Sequence, residues 1–298
     1  MVYQRERFPL AAHAPLVAAF SVSAVSFSAL LRDPQALPAW RSALVAFVTS
    51  LLCFLQLRIA DEFKDAEEDA RHRPYRPVPR GLVTLGELRA VGIAAAVVQA
   101  ALAVWLEPSL LVILSGVWSY FWLMTREFFV PRWLRAHPIA YLATHMLIVP
   151  LVDFYATACD WRVAGAGVPP PALLWFLTVS LCNGFVIELG RKIRAPEDEE
   201  RGVETYSALW GGACAAAVWV GALGAAAVFT MVASRLVGLP IWLGALLAGL
   251  LGLSAWTARG FAKRPAPCDG RAFEALSWVW TVCTYLTLGI APLVVRAA

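Results

Sequence analysis

Apolar residues in this chain fall into nine long runs, at 8–31, 39–60, 86–106, 108–125, 138–157, 170–190, 206–234, 238–258 and 274–295, separated by short polar connections. A helix of about 20 apolar residues is long enough to cross the hydrocarbon core of a bilayer. Most of the runs are near that length, so the pattern predicts nine transmembrane helices. The first run follows Arg5 and Arg7, as a secretory signal would, but it is longer than a signal's apolar core and no A-x-A site closes it. It reads as a membrane helix. The longest connection, 61–85, leaves no room for a soluble domain. The expectation is an all-α, polytopic membrane protein with one domain over 1–298, its function within the bundle or on one of its faces.

Composition agrees with this. The chain is 60% hydrophobic and 15% charged, with a mean hydropathy of +0.65, against about 45–50% and about 25% for soluble domains. A water-soluble or disordered chain is excluded, and nothing points to a nucleic-acid partner; lipid is the surrounding medium. Alternating the runs from a cytoplasmic N-terminus puts 18 of the 25 Lys and Arg residues on the inner side and four on the outer side. That asymmetry is what the positive-inside rule requires. None of the six cysteines forms a CxxC pair, and most lie within apolar runs, where cysteine behaves as a small hydrophobe. The preference for Arg over Lys, 22 to 3, fits a bacterial chain and hence a bacterial cytoplasmic membrane. Oligomeric state is not encoded in any recognisable pattern.

Seventeen of the 21 acids also fall on the inner side, and most are clustered. After the second run stand Asp61, Glu62, Asp65, Glu67, Glu68 and Asp69. On a continued helix Asp61 and Asp65 share a face, and like charges stacked in this way repel unless a cation lies between them. A solvated acidic helix end is one reading. The other is a Mg2+ site, since Mg2+ takes one or two carboxylates together with waters and a substrate phosphate. Immediately downstream, Arg73-Pro74-Tyr-Arg76-Pro77-Val-Pro79-Arg80-Gly81 forms a stiff loop, because each proline fixes its own φ and restricts the residue before it. Guanidinium groups held in such a loop are suited to forked hydrogen bonds with phosphate. Retention of the loop by positive-inside anchoring explains the arginines but not the prolines.

This stretch resembles the first aspartate-rich motif of the UbiA superfamily of membrane prenyltransferases, N-D-x-x-D-x-x-x-D followed by R-P-x-R-P-x-P-x-G. With Ala60 in the place of the asparagine, Asp61, Asp65 and Asp69 are taken as its aspartates, and the proline-arginine tail matches throughout. The resemblance implies a Mg2+-dependent enzyme in which Asp61, Asp65 and Asp69 hold the metal and Arg73, Arg76 and Arg80 grip a prenyl diphosphate. It further implies transfer of the prenyl group to a hydrophobic, most often aromatic, acceptor. Membrane terpene cyclisation, and lipid binding or transport without catalysis, are the alternatives that the same fold allows.

The second acidic motif departs from the family pattern. Anchoring on Gly202, Thr205 and Gly211 places Asp198 on its last aspartate and Arg194 on the one before, with Glu188 as an earlier acid. Arg191, Lys192 and Arg194 then put fixed positive charge where a second metal would otherwise supply it, and Glu188 can pair with Lys192 at i,i+4. Positive-inside anchoring explains these bases equally well, and a silent site is a further possibility. Pro196 separates Asp198 from the Glu188 face. Arg126 is carried over as a further diphosphate group, because it stands at the inner end of the fourth run. Tyr141, Thr144 and His145 share a face of the fifth run, as cavity lining or as hydrogen-bonded structure, and Asp153 is expected near the outer interface. The Trp and Phe residues could line a prenyl tunnel, though interface belts and packing explain them as well.

Overall fold

The computed structural model describes residues 2–200, 203–239 and 244–297, and its regular structure is helical, with no strand among the described residues. Residues 240–243 of the eighth predicted run, and Arg201 and Gly202 of the second motif, lie outside them. The chain opens with α1 (Val2–Arg7), α2 (Leu10–Arg32) and α3 (Trp40–Lys64), followed by the short α4 (Ala66–His72). Next come α5 (Leu85–Leu106), α6 (Leu110–Thr125), α7 (Pro131–Ala136), α8 (Pro138–Met146) and α9 (Ile148–Trp161). The last third holds α10 (Leu173–Arg191), α11 (Tyr206–Trp210), α12 (Gly212–Leu236), α13 (Gly244–Lys263), α14 (Asp269–Gly289) and α15 (Ala291–Ala297).

Every predicted run overlaps at least one of these helices. Seven stretches among the described residues are long and apolar enough to cross a membrane: α2, α3, α5, α8 with α9, α10, α12 and α13. α6 is apolar but has only 16 residues. Three predicted runs contain breaks that apolar character alone does not reveal; the ninth divides at Ile290 into α14 and α15. The fifth divides at Leu147 into α8 and α9, three residues before Pro150, whose ring clashes with the carbonyl four residues upstream. The seventh divides at Gly211, where φ is +81°, a value that side-chain-bearing residues rarely adopt.

α2 and α10 are the inner helices of the bundle. α2 packs against α3, α9 and α14, and α10 packs against α9, α12 and α14. Small residues bring them close: Ser21, Ser23, Ser26 and Ser28 of α2 are all fully buried, and a Cβ on Gly289 of α14 would lie 2.2 Å from the Ser23 Cα. Close packing of this kind is what holds helices together in lipid, where apolar burial gives no net drive between them. Polar pairs add to it. At one end of the bundle Arg32 makes a forked pair with Asp160, at 2.9 and 2.7 Å, and Ser28 donates to the same carboxylate at 2.8 Å. Asp153 does not face the outer interface as expected: it is fully buried, and Tyr285 donates to its Oδ2 at 2.9 Å.

The contact that matters most for the charged end is at Gly190, next to Arg191. A Cβ there would meet Ser277 Oγ of α14 at 2.1 Å and the Phe273 carbonyl at 3.0 Å. Ser277 Oγ already accepts from the Trp219 indole N–H at 2.9 Å. Gly190 therefore lets the last turn of α10 lie flat on α14. Gly190→Ala is expected to force this contact apart at a cost of about 1–3 kcal/mol, read as a lowered midpoint in thermal unfolding of the detergent-solubilised protein.

Candidate functional site

The C-terminal ends of α3, α6 and α10 converge at the charged end of the bundle. α3 stops at Lys64, and Asp65 adopts φ −94° and ψ 4° before α4 begins. The i to i−4 bonds nevertheless run across the break, from Asp65 N to the Asp61 carbonyl (2.9 Å) and from Asp69 N to the Asp65 carbonyl (2.8 Å). Asp61, Asp65 and Asp69 thus keep helical spacing, but their surroundings differ. Asp61 is half exposed, 3.5 Å from Arg58. Asp65 is partly exposed and in no ion pair among the described residues. Partial burial, with the nearby Asp69 carboxylate adding to it, raises the Asp65 carboxyl above the ordinary carboxylate range. Its charged form is therefore one that a neighbouring cation would favour.

Asp69 is different, with 2% of its side chain exposed and both oxygens taken. Arg73 donates to Oδ1 at 2.9 Å, and Arg76 donates to Oδ2. The proline-arginine loop is thereby folded back onto its own preceding helix, closed by backbone bonds from Arg76 N to the Arg73 carbonyl (3.0 Å) and from Gly81 N to the Val78 carbonyl (2.9 Å). Gly81 has φ +72°. Thr84 and Glu87 then form a reciprocal capping box that starts α5. Arg80 donates from one guanidinium nitrogen, Nη2, to both carboxylate oxygens of Glu6 in α1, each at 2.8 Å. Among the described residues no group of three His, Cys, Asp or Glu side chains is arranged to hold a metal in this structure. Asp69 is instead taken up by two arginines.

Counting the motif residue by residue revises its alignment. N-D-x-x-D-x-x-x-D requires aspartates at intervals of three and four, whereas Asp61, Asp65 and Asp69 are four apart on both sides. Placing Asp65 and Asp69 on the last two puts Glu62 on the first aspartate and Asp61 on the asparagine, with Ala60 outside the motif. Glu62 is only 1% exposed at its side chain, with Arg7 at 2.6 Å and Arg58 at 3.2 Å. Spacing alone was the signal that could have found it. The two acids left open are Asp61 and Asp65.

On the facing side Glu188 is buried near the end of α10. It pairs with Arg191 at 2.5 Å and with Lys192 at 3.0 Å. The acid is closed in while the Arg191 side chain is 49% exposed. Asp61 lies within electrostatic reach of Arg191, Glu188 and Lys64. The same counting places Arg191 and Arg194 on the first two aspartates of the second motif. The end of α10 is thus a cationic platform held by one buried acid.

Arg194 and Asp198 are not brought to that platform. Ala195 is extended, and Asp198 ends a short turn over Pro196–Asp198. Its Oδ2 accepts from the Cys268 backbone N–H at 2.8 Å, fastening this loop to the start of α14. The Arg194 guanidinium faces Glu200 at 3.4 Å, and its backbone N–H donates to Ser207 at 2.8 Å. Arg126 is exposed and makes no ion pair among the described residues. Its neighbour Glu127 is buried instead and pairs with Lys64 at 2.6 Å. Lys64 also donates to the Tyr141 hydroxyl at 2.7 Å. No sequence pattern singled out Glu127 or Lys64.

A family model described as the UbiA prenyltransferase family matches residues 20–291. The chain belongs to that family. Its fold is shared with an apo UbiA homolog from Aeropyrum pernix K1, at a TM-score of 0.67 and 16% identity over 96% of this chain and 98% of the other. It is likewise shared with a chain solved in work on digeranylgeranylglyceryl phosphate synthase, at a TM-score of 0.63 and 14% identity over 98% and 99%. By sequence, no curated protein matches.

The Asp69 fastening is expected to control the loop. Asp69→Asn leaves Arg73 and Arg76 without a buried counter-charge, a change that costs about 3–5 kcal/mol when a buried pair loses one partner. Limited trypsin digestion should then cut after Arg71 and Arg80, the arginines of this stretch not followed by proline, under conditions that leave the unaltered protein whole.

Proposed function

We propose that this protein transfers a prenyl group from an allylic prenyl diphosphate to a hydrophobic acceptor, with Mg2+ as cofactor. The observation that carries this reading is the pairing of opposites across the charged end. Two open carboxylates, Asp61 and Asp65, stand on α3, and a cation pair anchored by buried Glu188, Arg191 and Lys192, stands on α10. Two carboxylates without a third protein ligand fit Mg2+, which keeps waters and shares its remaining positions with substrate phosphate. Asp61 and Asp65 would hold the ion, and Asp69 acts as the anchor of the arginine loop. When bound, Mg2+ neutralises charge on the diphosphate oxygens.

The chain's own groups do the rest. Arg191 uses Nε on Glu188, which leaves the forked end of its guanidinium for phosphate oxygens. Arg73 and Arg76 stiffen the wall beside the acids, and Arg80 holds α1 against it. As the allylic C–O bond breaks, its electron pair leaves with the diphosphate, and the cationic groups stabilise the charge that develops there. The allylic carbon then bonds to the acceptor, which gives up a proton. The surrounding apolar helices limit the access of water, which would otherwise capture the cation. An aromatic acceptor is the expectation from the family resemblance.

The excess of basic residues at this end orients it, together with the N-terminus, toward the cytoplasm. Cys268, exposed between α13 and α14, should therefore react with an impermeant maleimide only in inside-out vesicles when the other five cysteines are replaced. For the reaction itself, purified protein with Mg2+ and prenyl diphosphates of several chain lengths should release diphosphate and form a prenylated acceptor. Asp65→Ala is expected to lower that rate by about 10²–10³-fold, the range seen for loss of one electrostatic stabiliser. Diphosphate that stays bound and intact at every chain length would remove the transferase reading. A hydrocarbon product in place of a prenylated acceptor would assign the cation to internal cyclisation.

A further inference from the structure

Among the described residues, the turn after α6 holds three of the four side-chain-bearing residues with positive φ. Glu127, Phe128 and Phe129 have φ of 46°, 51° and 61°, three consecutive side-chain-bearing residues in the left-handed region, where each costs about 1–2 kcal/mol. Strain of this size persists where surrounding interactions over-determine it. Here the turn leaves Arg126 exposed and carries Glu127 inward onto Lys64, at 2.6 Å. The Lys64 ammonium is held from a second side by the Tyr141 hydroxyl at 2.7 Å, and it lies 5.0 Å from the centre of that ring. Tyr141 is itself fixed by stacking on His145, with ring centres 3.8 Å apart and planes 13° from parallel.

Two features distinguish this arrangement from a simple fastening. The Glu127 side chain is 9% exposed, while that of Lys64 is 33% exposed, so the acid is closed in and the cation reaches outward. This is the arrangement already seen for Glu188 and Arg191. An ammonium also carries three N–H donors, of which Glu127 and Tyr141 occupy two. Lys64 adjoins Asp65 in the chain and acts electrostatically on both Asp61 and Asp65.

We infer that Lys64 is a further diphosphate-binding group on the α3 side of the site, opposite Arg191, and that Glu127 is the positioning residue that holds it there. The inference rests on the diphosphate reading above and adds a residue that neither the motif nor the family pattern nominates. It also accounts for the exposure of Arg126: the cation at this corner comes from α3, and α6 supplies only its counter-ion. The strained turn is what delivers that counter-ion.

The test uses the full chain in detergent, with inorganic pyrophosphate and Mg2+ as the probe in isothermal titration. Lys64→Gln keeps polar contacts to Glu127 and Tyr141 but removes the charge. It should weaken pyrophosphate binding by about ten- to a hundredfold, the range for one hydrogen bond to a charged group, and Lys64→Arg should restore much of it. Lys64→Met gives a second charge-free protein should the first fold poorly. Glu127→Gln is read in a double-mutant cycle: its effect on pyrophosphate affinity should vanish when Lys64 is already Gln, whereas a purely structural role would persist there. Unchanged affinity in both charge-free variants would overturn the role of Lys64 while leaving the diphosphate reading intact. Failure of the unaltered protein to bind pyrophosphate would overturn that reading itself. Additive effects in the cycle would remove Glu127 as the positioning residue.

Discussion

The charged end depends on one recurring interaction, a buried carboxylate that holds a less buried cation. It occurs four times: Glu62 with Arg7 and Arg58, Asp69 with Arg73 and Arg76, Glu127 with Lys64, and Glu188 with Arg191 and Lys192. A lone charge at such depth would be prohibitive in free energy, so each acid requires its partner. The partners are long side chains that reach outward with their heads while their stems cover apolar surface. The result is a set of cations held in place at this end, with Asp61 and Asp65 less enclosed than the buried anchors Glu62 and Asp69. Cations held in this way keep their positions without a ligand to order them.

The same logic explains how this chain departs from its family in the second motif. Where the pattern has acids that would need a metal to hold them together, this chain has Arg191 and Arg194. The Arg191 guanidinium carries fixed positive charge there and donates from Nε to the buried Glu188 carboxylate, while Arg194 turns to Glu200. Gly190 permits the end of α10 to lie against α14, beside the buried Glu188 and the outward-reaching Arg191.

Much of this was legible in the sequence, because the forces that set it are local or one-dimensional. Apolar run length places α2, α3, α5 and α10 to within a few residues, since lipid tolerates no unsatisfied backbone across its core. Proline and arginine spacing marked the loop at 73–81, and the i,i+4 relation of Glu188 and Lys192 announced their pair. The roles within the acidic cluster were not legible. Asp61, Glu62, Asp65 and Asp69 are alike in the sequence, and only packing separates the open pair from the two that are buried as anchors. Glu127 was beyond reach for another reason: its inward course depends on a left-handed turn that Glu-Phe-Phe does not favour, and its partner lies 63 positions earlier in the chain. The breaks at Leu147 and Gly211 fall between these cases, since Pro150 and Gly211 are visible but the tolerance of a helix for them is set by its neighbours.

The clasp between Arg80 and Glu6 has a practical consequence. α1 is only six residues long, yet it is fastened both to the arginine loop and, through Arg7, to Glu62. Whatever is joined ahead of it, an affinity tag or a fluorescent fusion, is mechanically linked to the wall of the site within two side-chain contacts. An engineered N-terminus is therefore not a neutral handle on this protein: its bulk or charge is transmitted to the loop that frames the acids.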